Sequence, residues 1–501
     1  MNPPAGAPQA LPPGAQRNML LVTTLLIAVM AALDLTIVAV ALPYMAGNLD
    51  AGPDQITWVV TMFTVGQAIS IGITGHLSRL LGRRRMVVVV IVGFVCTSII
   101  CGLAQNLTQI VLARFVQGLF SGPLIPISQS ILVDAFPAKD RARALSLWAV
   151  GVVGGPAIGP MIGGYLSQHL SWRWNFWINL PIGIAALILT LVFVRSVPPQ
   201  RVRTDYLGLV LLSIMIVCLQ IVLDQGNILD WFSSRTIVFL SIASLTAGIA
   251  FFWRGALLGR ANIINLWLFR DLNFAVCATI VAIIGCIFLG LLIVTPELLV
   301  DTFRWEAQTA GLAIGMAGVA GMTGAMVSSR LVKLVGVRAL VVSGSVTLAI
   351  GWYLYSRLTL GAGPMQVVVP GSLVMFGLMM VLPVVAAQAF QNLPPDQRDE
   401  GAGLFNFTKT LGFSFGVSAV DTFLYRGAQE NWARHAGDIS QTSPVIMGLG
   451  ADGATPGVMA LISDEMTRQM SMVTTVQLAE AMAVFALASV PLAWMLRKPR
   501  T

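Results

Sequence analysis

Charge is scarce in this chain. Aspartate, glutamate, lysine and arginine together make 10% of 501 residues, with three histidines and five cysteines, and each shortage removes a class of function. The cysteines (Cys96, Cys101, Cys218, Cys277, Cys286) fall inside apolar runs at irregular spacing, which indicates neither a disulfide framework nor a metal site. His76, His169 and His435 lie in or near loops without cysteine or carboxylate at ligand spacing, so no metal and no cofactor is expected. No G-x-x-x-x-G-K-S/T phosphate loop occurs, which excludes ATP hydrolysis by this chain as an energy source. Nor do His, Asp or Ser cluster as a polytopic membrane enzyme would need, and the chain is read as a non-enzyme. The segment 1–18, rich in Pro, Ala and Gly, lacks the n-region and short h-region of a signal peptide. It reads as a disordered cytoplasmic tail.

Apolar residues, in contrast, make 56% of the chain and mean hydropathy is +0.82, far outside the soluble range. The expected class is an all-α polytopic protein in the lipid bilayer. Apolar stretches run over 19–43, 55–77, 87–104, 109–133, 144–167, 175–195, 206–224, 236–253, 273–297, 309–329, 339–356, 367–390, 403–424 and 476–496, which predicts fourteen transmembrane helices. The net charge of +8 does not point to nucleic acid, because the basic residues sit in short loops between apolar runs. Of the 30 lysines and arginines, 21 fall on the side of the two termini and seven on the other. That bias places both termini in the cytoplasm.

The first stretch, Met19 to Pro43, carries one ionisable residue, Asp34. A helix of that length spans about 37 Å, and a carboxylate deep inside it costs several kcal/mol unless paired, protonated or hydrated. Such a group either ties helices together or serves as a proton or substrate site; the second is the default. Arg114 stands five residues into the fourth stretch, about 8 Å from its outer end, and Asp34 about 13 Å from its own. The two are therefore expected to meet in one polar pocket. Burial disfavours the charged form of a carboxyl group and a nearby guanidinium favours it, so relative movement of such a pair offers a way to couple protons to transport.

Two further patterns stand out. Arg79-Leu80-Leu81-Gly82-Arg83-Arg84 and Lys333-Leu334-Val335-Gly336-Val337-Arg338 repeat one pattern 254 residues apart, as repeated transporter halves do. The fifth stretch holds Gly151, Gly155, Gly159 and Gly163 at intervals of four, with Gly164, Pro156 and Pro160 beside them. Such a stripe lets another helix approach closely, and the prolines favour a kink; the combination reads as a part that bends or slides.

These motifs carry a resemblance. GPAIGPMIGG resembles the antiporter motif of the major facilitator superfamily, GHLSRLLGRRR (Gly75, Arg79, Gly82, Arg83, Arg84) its loop motif, and Arg114 to Gly118 its fourth-helix arginine motif. LDLTIVAVALPYMAGNL, GPLIPISQSIL, WRWNFWINLPIG and LDQGNILDWFSS are similar to the fourteen-span drug:proton antiporter branch of the EmrB/QacA type. The resemblance implies a major facilitator fold with a six-helix half over 19–196, inserted helices 7 and 8 over 197–272, and a second half over 273–501. It implies proton antiport of drug-like small molecules across a bacterial inner membrane, with Asp34 and Arg114 coupling the proton; a symporter or an exporter of one metabolite is the alternative. The polar segment 426–473 is either a docking surface, as for a membrane-fusion adaptor with an outer-membrane channel, or a solvent-exposed loop.

Three positions depart from the resemblance. Arg79 stands where the loop motif commonly has an acid, which puts a charge lock there in doubt; Leu35 replaces a polar residue; Asp421 is a carboxylate where an uncharged residue is usual, and either lines the substrate cavity and adds specificity or simply reaches the outer interface. Gln67, Gln117, Gln129, Trp148, Met379, Asn406 and Phe407 are polarizable or amide-bearing residues suited to a promiscuous cavity, with lipid-facing or packing roles as the alternative.

Overall fold

The computed structural model describes residues 14–196, 199, 204–258, 264–394, 397–436 and 456–496. It contains helices and turns and, among the described residues, no strand. In chain order the helices are α1 (Ala15–Asn48), α2 (Pro53–Ile56), α3 (Trp58–Gly72), α4 (Thr74–Leu81), α5 (Arg83–Leu103), α6 (Leu107–Ser121), α7 (Leu124–Ala135), α8 (Ala138–His169), α9 (Trp174–Trp177), α10 (Asn179–Phe193), α11 (Tyr206–Gln225), α12 (Arg235–Leu258), α13 (Leu272–Glu297), α14 (Ala307–Tyr355), α15 (Pro364–Ala389), α16 (Arg398–Ala436), α17 (Pro456–Leu487) and α18 (Ser489–Met495). Segment 1–13 and residues 437–455 of the outer loop lie outside the described residues.

Side-chain caps begin several of these helices: Asn106 accepts from Gln109 N, Asp205 from Gly208 N and Asp271 from Phe274 N, each satisfying a donor that the helix start leaves free. Most of the long helices are apolar around much of their circumference, α16 being an exception. Large side chains such as Met161, Leu112 and Trp253 stand exposed on the bundle surface, as a lipid-facing surface requires.

Among the described residues, ten helices are long and apolar enough to cross a membrane, or eleven if the bent pair α3 and α4, which meet at 60°, is one span. The fourteen stretches of the sequence exceed this number for physical reasons. The tenth and eleventh form one run, α14, broken at Gly336, where φ is 81°. The thirteenth, in α16, carries Asn406, Lys409 and Asp421 among its apolar residues. The fifth forms α8, a continuous helix of 32 residues that contains the whole apolar stretch 144–167.

Gly82 separates α4 from α5 with φ 79°, almost the value at Gly336. Both positions adopt a left-handed conformation that only glycine takes freely, so the two basic turns repeat in backbone geometry as well as in sequence.

Helix α1 packs on α8, α7 and α10; α3 packs on α6; α13 packs on α16; and α14 folds back on α15. The N-terminal and C-terminal sets meet along two seams, α8 against α14 and α15, and α3, α4 and α7 against α16. Helix α11 touches α3 and α16 together, and α12 packs on α11.

Candidate functional site

The glycine stripe of α8 lies against α1. A Cβ built on Gly151 would collide with Leu25, one on Gly159 with Thr36 Oγ1, and one on Gly163 would stand 2.6 Å from Ile37 O. Gly155 faces Leu33 N at 3.1 Å, and Gly164 meets Val40 at 3.6 Å. The stripe thus lets two backbones touch on either side of the residue that α1 contributes to the centre of the bundle.

That residue is Asp34, fully buried. Its Oδ2 lies 2.6 Å from Arg114 Nη1, and neither side chain has any exposed surface. Asn179 Nδ2 donates to Asp34 Oδ1 at 2.8 Å and Gln117 Nε2 to the same oxygen at 3.2 Å. Arg114 in turn donates to Gln117 Oε1 (2.8 Å) and, through Nε, to the Val59 carbonyl (3.2 Å). Ser98 Oγ accepts from Gln117 (2.7 Å) and Asn179 (3.2 Å). The guanidinium also lies over the Phe63 ring, 3.8 Å from its centroid. Helices α1, α3, α5, α6 and α10 therefore converge on one carboxylate.

The chemistry follows from the partners. Asp34 is the one carboxylate paired with Arg114 among the described ion pairs, and Arg114 Nη2 finds no acceptor among the described residues. Each charge of the pair is the other's only counter-charge among the described ion pairs, so neutralising either would leave the other buried and uncompensated, which costs several kcal/mol.

A second polar cluster closes the bundle at the Gly82 end. Arg83 sits between two carboxylates, 2.5 Å from Asp134 Oδ2 on α7 and 2.6 Å from Asp399 Oδ1 on α16. Arg398 also pairs with Asp134, and Asp399 accepts from Ser78 (2.5 Å) and from Ser130. Beside it, Arg79 lies 2.7 Å from Glu400 Oε1, and Asn265 Nδ2 donates to Glu400 Oε2 at 2.8 Å. Gly75 makes this approach possible, since a Cβ there would stand 2.5 Å from Glu400 Cα. Arg84, pointing elsewhere, donates to the Leu191 carbonyl. The charge lock that Arg79 put in doubt therefore exists with its signs exchanged: the cation is on α4 and the acid on α16.

Burial by itself would raise the Asp399 carboxyl, but the Arg83 guanidinium and the Ser130 and Ser78 hydroxyls outweigh it and hold the group below its ordinary range. A depressed carboxylate stabilises the closed cluster above the ordinary carboxylate pKa of about 4 and loses that contribution as pH falls through the lower folded value. The clasp is therefore intact at neutral pH. Glu400→Arg should weaken it, raising the labelling of a cysteine introduced at buried Thr74 from the Gly82 face. Combining Glu400→Arg with Arg79→Glu should restore protection, with a coupling of about 0.5–3 kcal/mol. Independent effects of the two changes would show that the pair does not hold the sets together.

The residues expected to line a cavity are spread over both helix sets. Gln117 belongs to the Asp34 cluster. Gln67 donates to Ser121 (3.2 Å), Trp148 to Ser128 (3.1 Å), and Asn406 to Gln129 (2.6 Å) across the α16 and α7 seam. Met379 packs on Gly321 and Phe407 near Gly72. Asp421 borders a cavity of about 470 Å³ at the end away from Gly82, lined also by Val294, Tyr425, Trp432, Thr467 and Ser471, and accepts from Asn227 at 3.1 Å.

Sequence reasoning passed over Ser98, Asn179, Asp134, Asp399 and Glu400. Asn179 lies inside the WRWNFWINLPIG stretch, where a polar residue three positions before Ile182 was the available signal. The three acids stand at helix ends, where charge is unremarkable.

The family described as the Major Facilitator Superfamily matches residues 24–417. The fatty acid resistance protein FarB of Neisseria gonorrhoeae is 32% identical over 481 residues, 94% of this chain and 94% of that protein. The multidrug export protein EmrB of Escherichia coli (strain K12) is 34% identical over 416 residues, 82% and 80% of the two chains. Among solved structures, the human organic anion transporter MFSD10 superposes with a TM-score of 0.60 at 14% identity, covering 95% of this chain and all of that one. The proton:xylose symporter XylE does so with a TM-score of 0.59 at 14% identity, over 95% and 96%. At that identity the likeness to both structures concerns the fold.

Proposed function

The chain belongs to the Major Facilitator Superfamily, whose members are transporters and not enzymes, and from that premise we propose that it exports hydrophobic and amphipathic small molecules in exchange for protons. Multidrug export is the activity named for EmrB, and resistance to fatty acids that named for FarB; both names support amphipathic cargo. The observation that carries proton coupling is the Asp34 and Arg114 pair, 2.6 Å apart with no exposed surface. Its carboxylate takes a proton from outside and releases it inside, and the two states bind substrate differently. The clasp around Arg83 closes one end of the path while the Asp421 cavity lies at the other.

Fourteen spans are reached when α14 is divided at Gly336 and α8 and α16 are counted with the eleven. On this reading 19–196 and 273–501 are the six-helix halves, 197–272 is inserted, and the Gly82 end faces the cytoplasm of a bacterial inner membrane together with both termini. The segment 426–473 is then external, a place for an adaptor that connects to an outer-membrane channel. Inverted vesicles test the direction of exchange. An inside-acid vesicle should accumulate an amphipathic dye, and adding the dye should release protons from the lumen; movement of both in one direction would reject antiport. A tag within residues 440–455, which lie outside the described residues, should be cleaved by protease added to intact spheroplasts. Protection there would overturn the orientation.

A further inference from the structure

Lys409 takes part in neither cluster. It stands eleven residues after Arg398 in α16, within the stretch 404–420 that contains no carboxylate. None of the described ion pairs includes it. Its ammonium lies over the Phe413 ring, 5.6 Å from the centroid, and Phe413 packs on Phe288 of α13 with centroids 5.8 Å apart. At about 100° per helical residue, Lys409 lies about 60° from Asn406, which crosses the seam to Gln129, and about 120° from the exposed Phe415. It therefore occupies the inner arc of α16, between α13 and the N-terminal set.

The position is closely packed. Gly285 of α13 presses against this turn, where a Cβ would meet Lys409 O at 2.9 Å and Phe413 Cδ1 at 2.8 Å. One turn on, a Cβ on Gly416 would stand 2.5 Å from Cys286 O. An ammonium at membrane depth is costly without a counter-charge, and the half-buried Lys409 has none among the described ion pairs.

We propose that Lys409 binds the anionic group of an amphipathic organic acid, whose apolar body lies against Phe413 and Phe288. The inference rests on the export reading above and narrows it to a cargo class. The ligand supplies the missing negative charge, and the aromatic pair supplies the apolar contact.

Three probes of equal chain length separate charge from hydrophobicity: dodecanoate, dodecanol and dodecyltrimethylammonium, with equilibrium binding measured on the purified full chain. Lys409→Met, close in shape, should lower dodecanoate affinity by about tenfold or more and leave dodecanol affinity unchanged, which also shows that the variant is folded. Lys409→Arg should retain most of the dodecanoate affinity. Unchanged dodecanoate binding by Lys409→Met, or an equal loss for dodecanol, would overturn the anion site. Proton-driven transport of dodecyltrimethylammonium by the wild-type chain alongside that result would leave the export reading standing, whereas transport of none of the three probes would remove both.

Discussion

Asp34→Asn is expected to reduce concentrative export to background while the protein still inserts and binds substrate. The amide keeps the size of the carboxyl and can still meet Asn179 and Gln117, so packing around α1 changes little. What disappears is the charge opposite Arg114 and the ability to exchange a proton. The pump would be fixed in one protonation state, and an energy gradient acting through proton binding has nothing to act on. Arg114→Ala should have an effect of the same size by the reverse route, leaving a buried carboxylate without its cation. Because the two groups act through one contact, the double variant should be little worse than either single one. The measurement is drug accumulation by cells at matched expression, together with drug-induced proton release in inverted vesicles. Continued uphill export and proton release by Asp34→Asn would make the pair a structural tie and place the coupling carboxylate elsewhere, with Asp421 next to be examined.

The second large effect is expected at Gly159. Its missing side chain is what allows α8 to lie against Thr36 and Ile37, two and three residues beyond Asp34. Gly159→Leu would have to push α1 away from α8 or rotate it, and overpacking of this kind costs about 1–3 kcal/mol in a well-packed interior. Displacing α1 also displaces Asp34 relative to Arg114. Efflux should fall to background at equal expression, with Gly159→Ala intermediate because one methyl group already meets Thr36 Oγ1. Full activity of Gly159→Leu would mean that α1 and α8 separate freely during transport and that the stripe is not a working contact.

What was legible in the sequence follows from the solvent it was written for. A bilayer demands about 20 apolar residues per crossing, so helices announce themselves, and a lone charge such as Asp34 or Arg114 is conspicuous against them. The glycines of α8 were legible for the same reason: their spacing of four has few uses other than close approach. Pairing across long separations was not legible. Asp399 and Glu400 belong to an interfacial stretch where acids are ordinary, and only the fold brings Asp399 back to Ser78, 321 residues earlier, and Glu400 to Arg79. Ser98 and Asn179 are small polar residues of a kind that apolar helices often bury by bonding to their own backbone, as Thr97 does to Gly93 O. The exchanged signs at Arg79 show a further limit. The departure was visible in α4, but its compensation lies in α16.

Helix α11 touches one seam and not the other. Gln220 accepts from Ser414 of α16 at 2.8 Å, Thr61 of α3 bonds to Asp224, and just beyond the helix Asn227 and Asp230 hold Asp421 and Arg426. The two sets are thus belted together on one flank by α11, and a belt that held during transport would leave the other flank, where α8 faces α14 and α15, as the margin with room to open.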